Sequence, residues 1–186
     1  MKKGWFYLLK KQMSKLWLDG KFVSVTILAY PEQSLVRKKT QETDGYESIV
    51  VSLKKWPKNT KLGEFRTDEW IALEEINFDQ VKDLEAIHVV GMSKGKWFQW
   101  GIKRFWLHGM PATHGHKFTR HLGSKGNRKP RRTQKWHPHA GHMWYDRTTI
   151  KNVKILDKRE DDSGKFIVVK WSVPWHRDSV LKGYFI

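Results

Sequence analysis

Cationic and histidine side chains are concentrated in one stretch of the sequence, which runs from Ala112 to Trp136. It reads ATHGHKFTRHLGSKGNRKPRRTQKW and contains eight Lys or Arg, three His and no acid. Lys and Arg pair with phosphate groups, and Arg does so in a bidentate manner. Histidine can stack on a base or hydrogen-bond a ribose hydroxyl. The chemistry favoured by these residue types is recognition of a polyanion.

The net charge of the chain is concentrated in the same region. The 186 residues include 36 Lys and Arg against 19 Asp and Glu, a formal charge of +17. The window from Lys94 to Lys154 contains 15 Lys or Arg, seven of the nine His and a single acid, Asp146. A charge of this size attracts nucleic acid or an acidic membrane surface but does not specify a fold.

Composition excludes several classes of protein. The chain contains no cysteine, so disulfides and thiolate metal sites are excluded. No apolar run approaches the roughly 18 residues that a membrane span needs. The first residues, MKKGWFYLLKKQMSKLW, are basic with a short apolar run, which we interpret as the start of a strand and not as a secretion signal. We therefore expect a cytosolic protein with no membrane partner.

The histidines raise two alternatives to simple binding. His114 with His116, and His137 with His139 and His142, have spacings found in metal sites, but no carboxylate or thiolate lies near and the surrounding cations repel a divalent ion. We predict no metal and no cofactor. A His and Lys pair could also cleave RNA by acid–base catalysis, with His108, His114 and Lys117 as candidates. Their spacing does not distinguish them from the other His, so we predict no catalytic residue and no enzyme activity.

Outside the basic window the pattern predicts β-strands. Alternation or short apolar runs indicate strands at Lys21–Leu28, Ser48–Leu53, Ala86–Met92, Thr149–Leu156 and Lys165–Val173. The pair Asp19-Gly20 predicts a hairpin with a preceding first strand, and REDDSG predicts a second hairpin. Residues 67–76 could be a short helix or irregular. Five or six short strands with turn signals favour a mainly β fold, a small closed barrel. Its expected core residues are Val23, Val25, Ile27, Ile150, Val153, Ile155, Ile167 and Val169.

The basic window itself matches neither a helix nor a strand pattern. Glycine recurs through it, and prolines at 111, 130 and 138 interrupt regular structure. A loop of this length inside a compact domain is either functional or disordered, and its composition cannot bury enough apolar area to order it alone. We infer that a partner orders it. No recognition helix is visible, so folded RNA fits better than a DNA groove.

Three stretches carry a family resemblance: SKGKWFQWGIKRFWLHGMPATHGHKFTRHLGS, KWHPHAGHMWYDRTTIKNVKIL and VVKWSVPW. Together they resemble the bacterial form of the universal L-three family of large-subunit ribosomal proteins, and the opening KGWFYLLKKQMSKLWLDGKFVSVTIL resembles the first hairpin of that family. The resemblance covers about residues 3–55 and 86–176 and is weak between Lys55 and Leu84.

The resemblance implies a translation-protein-type β-barrel formed by residues 1–92 and 147–186, with residues 93–146 as a long, extended basic loop that enters RNA. It implies a structural constituent of the large ribosomal subunit in the bacterial cytoplasm, without catalysis. Such a protein binds 23S ribosomal RNA and neighbouring large-subunit proteins, but not DNA. It also nucleates early assembly, and its loop reaches toward the peptidyl-transferase centre. The predicted RNA-binding residues are Lys94, Lys96, Lys103, Arg104, His114, His116, Lys117, Arg120, His121, Lys125, Arg128, Lys129, Arg131, Arg132, Lys135, His137, His139, His142 and Arg147.

One departure from the family pattern involves tryptophan. The family has glycine where this chain has Trp97, Trp100, Trp144, Trp171 and Trp175, and we assign Trp106 and Trp136 to the same set. Our hypothesis is that a codon read as glycine in the source cell, UGA, is rendered here as tryptophan. The alternative is that these are real aromatic side chains that stack on bases.

Two other functions remain as alternatives. A non-ribosomal RNA-binding regulator would fold alone and carry its own recognition surface, such as aromatics on a sheet. A His-dependent RNA-cleaving enzyme would lose activity when one or two His are replaced and would tolerate Arg changes.

Overall fold

The fold is described from a computed structural model, which describes residues 5–56, 59–66, 78–124, 126–127, 131–132, 134–162 and 164–185. The chain divides into two compact units, Met1–Met92 with Arg147–Ile186, and Ser93–Asp146. It is mainly β, as predicted. The strands are β1 (Trp5–Leu18), β2 (Lys21–Tyr30), β3 (Gln33–Lys39), β4 (Ser48–Trp56), β5 (Asn59–Arg66), β6 (Ala86–Met92), β7 (Phe98–Gln99), β8 (Gly141–His142), β9 (Arg147–Asp161), β10 (Gly164–Lys170) and β11 (Val180–Phe185). The helices are the short α1 (Gln41–Asp44), α2 (Asp79–Lys82) and α3 (Gly101–Phe105).

Six strands of the first unit form a closed ring in the order β1-β11-β6-β9-β10-β2, and β2 pairs back with β1. Every pairing in the ring is antiparallel. Because each strand has two partners, the ring has no free edge to pair with another chain.

The predicted first hairpin is confirmed. Asp19 and Gly20 both have positive φ, 48° and 77°, which is the backbone of a two-residue type I′ turn. The turn sets the register of β1 and β2, so that Trp17 lies opposite Phe22 and Leu18 opposite Lys21. Asp and Gly tolerate this conformation, which explains why the pair was a reliable signal.

The ring is filled by one apolar core. Its buried members are Phe6, Leu8, Leu28, Tyr30, Phe78, Val81, Ile87, Val89, Val153, Ile167, Val169, Val173 and Leu181. The prediction was right for Val153, Ile167 and Val169, and Ile150 and Ile155 pack against the core while partly buried. Each fully buried aliphatic side chain stabilises the fold by roughly 1.5–3 kcal/mol relative to its exposed state.

On β2 the core assignment was right for Val25, which is buried, and wrong for Val23 and Ile27. Leu28 and Tyr30 belong to the core, whereas Val23 and Ile27 are only half-buried and Val25, although buried, lies outside the core cluster. The end of β2 is apolar on both faces, so alternation alone could not give the phase. Thr26 is fully buried, and its hydroxyl is satisfied there because it donates to the Trp171 carbonyl at 2.6 Å.

A three-stranded sheet, β3-β4-β5, forms a second apolar cluster in the same unit. Tyr7 from β1 joins Ile49, Val51, Leu53 and Phe65 there. The Tyr7 hydroxyl occupies the space that a Cβ would need at residue 63, so this position requires glycine. The sequence identified β4 but neither β3 nor β5.

Two strand predictions need correction. The fifth predicted strand ends at Lys170, not at Val173, because Trp171 leaves the extended region with φ 74°. The last strand of the ring, β11, was not predicted. The possible helix at 67–76 lies outside the described residues. None of the helices in the described ranges has the length and apolarity needed to cross a membrane.

Candidate nucleic-acid interface

The basic unit, Ser93–Asp146, is closed at its base by a short backbone ladder. The Ser93 N–H donates to the Asp146 carbonyl at 2.8 Å, and the Asp146 N–H donates to Ser93 Oγ at 2.9 Å. Further in, the Lys96 N–H donates to the Met143 carbonyl at 2.9 Å, and the Met143 N–H to the Trp97 carbonyl at 3.0 Å. The ladder continues into the pair β7–β8. The two ends of the unit are therefore held together by the unit itself.

Helix α3 follows the ladder and positions an arginine inward. Arg104 Nη1 donates to the His139 carbonyl at 3.0 Å. A Cβ at Gly141 would lie 2.7 Å from the same nitrogen, so the guanidinium passes directly over a bare backbone. Arg104 is half-buried and supports the fold of the unit, although the sequence placed it with the RNA-binding cations.

A small apolar contact also stabilises this unit. A Cβ at Gly101 would meet Leu122 Cδ1 at 2.6 Å and Leu107 Cδ1 at 3.5 Å. Nearby, the Met110 N–H donates to the Thr119 carbonyl at 3.1 Å. The expectation of a segment without secondary structure or packing was therefore wrong, because α3, β7, β8 and this contact are present. They escaped prediction because each is too short to give a periodic signal.

Beyond this support, residues 108–121 are all exposed. Of the predicted RNA-binding residues, those that are exposed are Lys94, Lys103, His114, His116, Lys117, Arg120, His121, Arg131, Arg132, Lys135, His142 and Arg147. Those that are half-buried are Lys96, Arg104, His137 and His139. Lys125, Arg128 and Lys129 lie outside the described residues. Arg147 belongs to the first unit, where it begins β9.

The electrostatics of the basic unit are one-sided. It contains twelve Lys or Arg and one acid, Asp146, a formal charge of +11. One carboxylate can neutralise only a small share of these cations. The exposed cations among the described residues make a positive surface that attracts a polyanion over distances of about a Debye length, roughly 8 Å at physiological salt.

The histidines of the basic unit do not form a metal centre in the part of the chain that the structure describes. His137 and His139 approach each other with ring centroids 5.1 Å apart. Among the described residues no group of three or more His, Cys, Asp or Glu could hold a metal ion.

Exposed aromatic side chains accompany the cations. Phe98, Phe118 and Tyr145 are exposed within the unit, and the sequence reading did not select them as site residues. Phe118 lies 5.3 Å from the ring of His121. Flat rings beside cations can stack on unpaired bases. The signal that could have found them is their position among the cations of a segment with so little core.

The tryptophans of the unit have unusual backbones. Trp97, Trp106, Trp136 and Trp144 all have positive φ, between 58° and 65°, in the left-handed region that favours glycine. Trp100, from the same hypothesis, does not, because its φ is −71°.

The family model described as "Ribosomal protein L3" matches residues 38–182, which include the whole basic unit. The chain belongs to the ribosomal protein L3 family. The match begins in β3 and ends in β11, so it includes four of the six ring strands, three of them complete.

Individual members of the ribosomal protein L3 family are similar in sequence to this chain over most of its length. The chain is 36% identical over 178 residues to the large ribosomal subunit protein uL3 of Histophilus somni (strain 2336), covering 84% of this chain and 85% of that protein. The uL3 of Haemophilus influenzae (strain PittGG) is 36% identical with the same coverage. The uL3 of Pasteurella multocida (strain Pm70) is 35% identical over 179 residues, again with 84% and 85% covered. The family resemblance drawn from the sequence is confirmed.

Proposed function

We propose that this chain is a structural constituent of the large ribosomal subunit that binds 23S ribosomal RNA directly through residues 93–146. It is not an enzyme, and it acts in the cytoplasm as part of the ribosome. The relatives named above are large ribosomal subunit proteins, which supports the assignment. The closed ring of the first unit is then a barrel of the translation-protein type.

The observation that carries this proposal is the exposed run 108–121 in a unit with twelve cations and one acid. A surface that is exposed throughout gains little from burial within its own chain. Phosphate groups complement it, and each neutralised phosphate releases condensed counterions, which drives association. The cations supply affinity, and the shape of the RNA supplies selectivity.

In this proposal the barrel docks on the subunit surface, and the basic unit extends between RNA helices toward the peptidyl-transferase centre. RNA helices repel one another through their phosphates, and Lys and Arg placed between them remove that repulsion. Binding of this kind nucleates subunit assembly early, because the RNA cannot compact around an unneutralised gap. In the assembled subunit, neighbouring large-subunit proteins also contact this chain.

The test compares two charge-matched variants. In the first, Lys117, Arg120, Arg131 and Arg132 are replaced by Ala. In the control, the exposed Lys15, Lys21, Lys151 and Lys154 of the first unit are replaced by Ala. Both lose four charges, so any general effect of net charge is equal between them.

The measurement is affinity for protein-free large-subunit RNA across a salt series. We expect the first variant to lose affinity. Its plot of the logarithm of the binding constant against the logarithm of the salt concentration should have a slope that is shallower by about 3, since each of the four lost phosphate contacts contributes roughly 0.7–0.9 to that slope. The control should keep most of the wild-type slope. Equal slopes and affinities for the two variants would contradict the proposal.

A further inference from the structure

Six tryptophans have a backbone conformation that tryptophan rarely adopts. Their φ angles are positive and lie between 58° and 80°, at Trp97, Trp106, Trp136, Trp144, Trp171 and Trp175. Side chains with a Cβ clash with the neighbouring carbonyl oxygen in this region, and bulky ones are true outliers there. Glycine has no Cβ and adopts the region freely.

The other residues with positive φ are mostly of the types that tolerate it. Besides glycines, they are Asp19, Asn152 and Asp178, whose short polar side chains suit the left-handed region, together with His114 and one further aromatic residue, Tyr145, at φ 67°. In contrast, Trp5 and Trp17 lie in β1 and are not among the residues with positive φ. Trp5 stacks on Phe65 at 5.4 Å, and Trp17 packs edge-on against Phe22 at 4.6 Å. The chain thus contains two different populations of tryptophan.

Three of the six tryptophans with positive φ are almost fully exposed, so burial of their side chains cannot offset the backbone strain. Trp97, Trp106 and Trp136 are 82%, 89% and 96% exposed. Trp144 lies under the Lys96 ammonium, 3.6 Å from its ring centroid, Trp175 packs partly against the core, and the Lys170 ammonium lies 6.0 Å from the centroid of the Trp171 ring. Burial therefore does not explain why six such positions exist.

The backbone at these positions is fixed by other groups. The Trp171 N–H donates to the Ser24 carbonyl at 2.8 Å, and the Trp171 carbonyl accepts from Thr26 Oγ1. The Trp175 carbonyl accepts from Lys10 Nζ at 2.9 Å. Trp106 caps the C-terminus of α3 in the left-handed conformation, with φ 58° and ψ 32°, and this capping position is usually glycine. The fold demands positive φ there whatever side chain is present.

We propose that these six positions are glycine in the protein that the source cell makes, and that the turns of the RNA interface therefore present bare backbone to RNA instead of indole rings. The first statement rests on backbone geometry alone. The second rests on the function proposed above and concerns the four positions in the basic unit, 97, 106, 136 and 144. At each site tryptophan differs from glycine by an indolylmethyl group in place of a hydrogen. A codon that the source cell reads as glycine, and that is rendered here as tryptophan, would produce this difference. UGA is the codon whose reading varies in this way.

Trp100 is outside this proposal. It came from the same sequence pattern, but its φ of −71° is ordinary for any residue. The structure thus reduces the set of seven positions to six.

The test of residue identity is peptide mass analysis of a tryptic digest of source-cell lysate. Cleavage after Lys and Arg gives the peptides 97–103, 105–117, 136–147 and 171–177, which together contain all six positions. We expect each to be lighter by one indolylmethyl group per position, with fragment ions placing glycine at the six sites. Peptide 16–21, with Trp17, is the internal control and should have its full mass. Tryptophan at the six sites would overturn the proposal. Because the lysate is not fractionated, this result does not depend on whether the protein is bound to ribosomes.

The consequence for the interface is tested with recombinant protein. The chain with all six tryptophans is compared with one carrying W97G, W106G, W136G, W144G, W171G and W175G. We expect the glycine chain to bind large-subunit RNA at least tenfold more tightly. If the tryptophan chain binds as tightly or more tightly, the indoles stack on bases and the bare-backbone interface is wrong. If neither chain binds the RNA in a salt-dependent manner, the proposed function fails, while the peptide masses still decide the residue identity.

Discussion

Ser93 and Asp146 hold each other at the two ends of the basic unit. The backbone N–H of each donates to the other residue, to the Asp146 carbonyl at 2.8 Å and to Ser93 Oγ at 2.9 Å. The 52 residues between them leave and return at one point. These two hydrogen bonds, which we call the clasp, hold the two ends of the basic unit together.

Replacing the hydroxyl tests the clasp. In Ser93→Ala the Asp146 N–H loses its acceptor, and a hydrogen bond of this kind contributes about 1 kcal/mol. We expect the Asp146 amide to exchange its hydrogen about fivefold faster, measured by NMR. Ser124→Ala is the control, because that hydroxyl donates only within its own turn, to the Gly126 carbonyl. Unchanged exchange in Ser93→Ala would show that the Ser93 hydroxyl adds nothing to the clasp.

Trp171 gives the cleanest test of strain, since it is 67% exposed with φ 74°. In the recombinant tryptophan protein, Trp171→Gly should raise the free energy of unfolding by about 1 kcal/mol, because it removes the left-handed clash. Trp17→Gly should lower it by about 1 kcal/mol, since glycine weakens a strand and the contact with Phe22 is lost. Urea unfolding measures both. A loss of stability in Trp171→Gly would contradict the strain argument.

Two adjacent lysines have opposite roles in the first unit. Lys10 is buried, and its ammonium donates to the Val173 and Trp175 carbonyls at 2.7 and 2.9 Å. Burial lowers the pKa of Lys10. Lys10→Met leaves both carbonyls without this donor, so we expect a loss of about 2 kcal/mol in unfolding free energy.

Lys11→Met is the matched control for Lys10→Met. Lys11 forms an exposed ion pair with Asp178 at 3.1 Å, and such pairs contribute about 0–1 kcal/mol. Denaturant melts of the two variants should therefore differ clearly. Similar losses would show that the carbonyl contacts of Lys10 add nothing.

The lowered pKa of Glu64 predicts how the stability of the fold changes in acid. The Ser48 and Tyr46 hydroxyls and the Lys39 ammonium, 3.2 Å from its carboxylate, lower the pKa of Glu64. The stabilisation from a carboxylate with a lowered pKa is present above its unfolded pKa, near 4.5, and is lost as the pH falls through the folded value. Glu64→Gln should flatten the fall in urea midpoint below pH 4.5, whereas the exposed Glu42→Gln should not. If the urea midpoint of Glu64→Gln falls below pH 4.5 as steeply as that of the unsubstituted protein, Glu64 is not the group that sets this acid dependence.

Local signals in the sequence predicted part of the fold well. The Asp19-Gly20 pair fixed a hairpin, and the apolar run Ala86–Met92 coincides with β6. Which residues of β2 face the core of the ring could not be predicted, because this depends on the side chains that they contact from the other strands. The short β7, β8 and α3 depend on contacts such as that of Arg104 with the His139 carbonyl, and these exist only after folding.

For the site, composition alone located the cations, because burying so many of them without acids would be too costly. Composition could not predict which cations are exposed and which support the fold of the basic unit. Lys117 and Arg120 are exposed, whereas Arg104 is turned inward as a support. The strain at the tryptophans likewise needed backbone angles, which no residue count provides.

The central claim is that this chain belongs to the large ribosomal subunit through its basic unit. The most direct measurement is sedimentation of source-cell lysate, followed by a high-salt wash of the large subunits and detection of this protein by mass analysis. The account predicts that the protein sediments with large subunits and stays with them after the wash. Recovery of the protein at the top of the gradient, free of RNA, would contradict it.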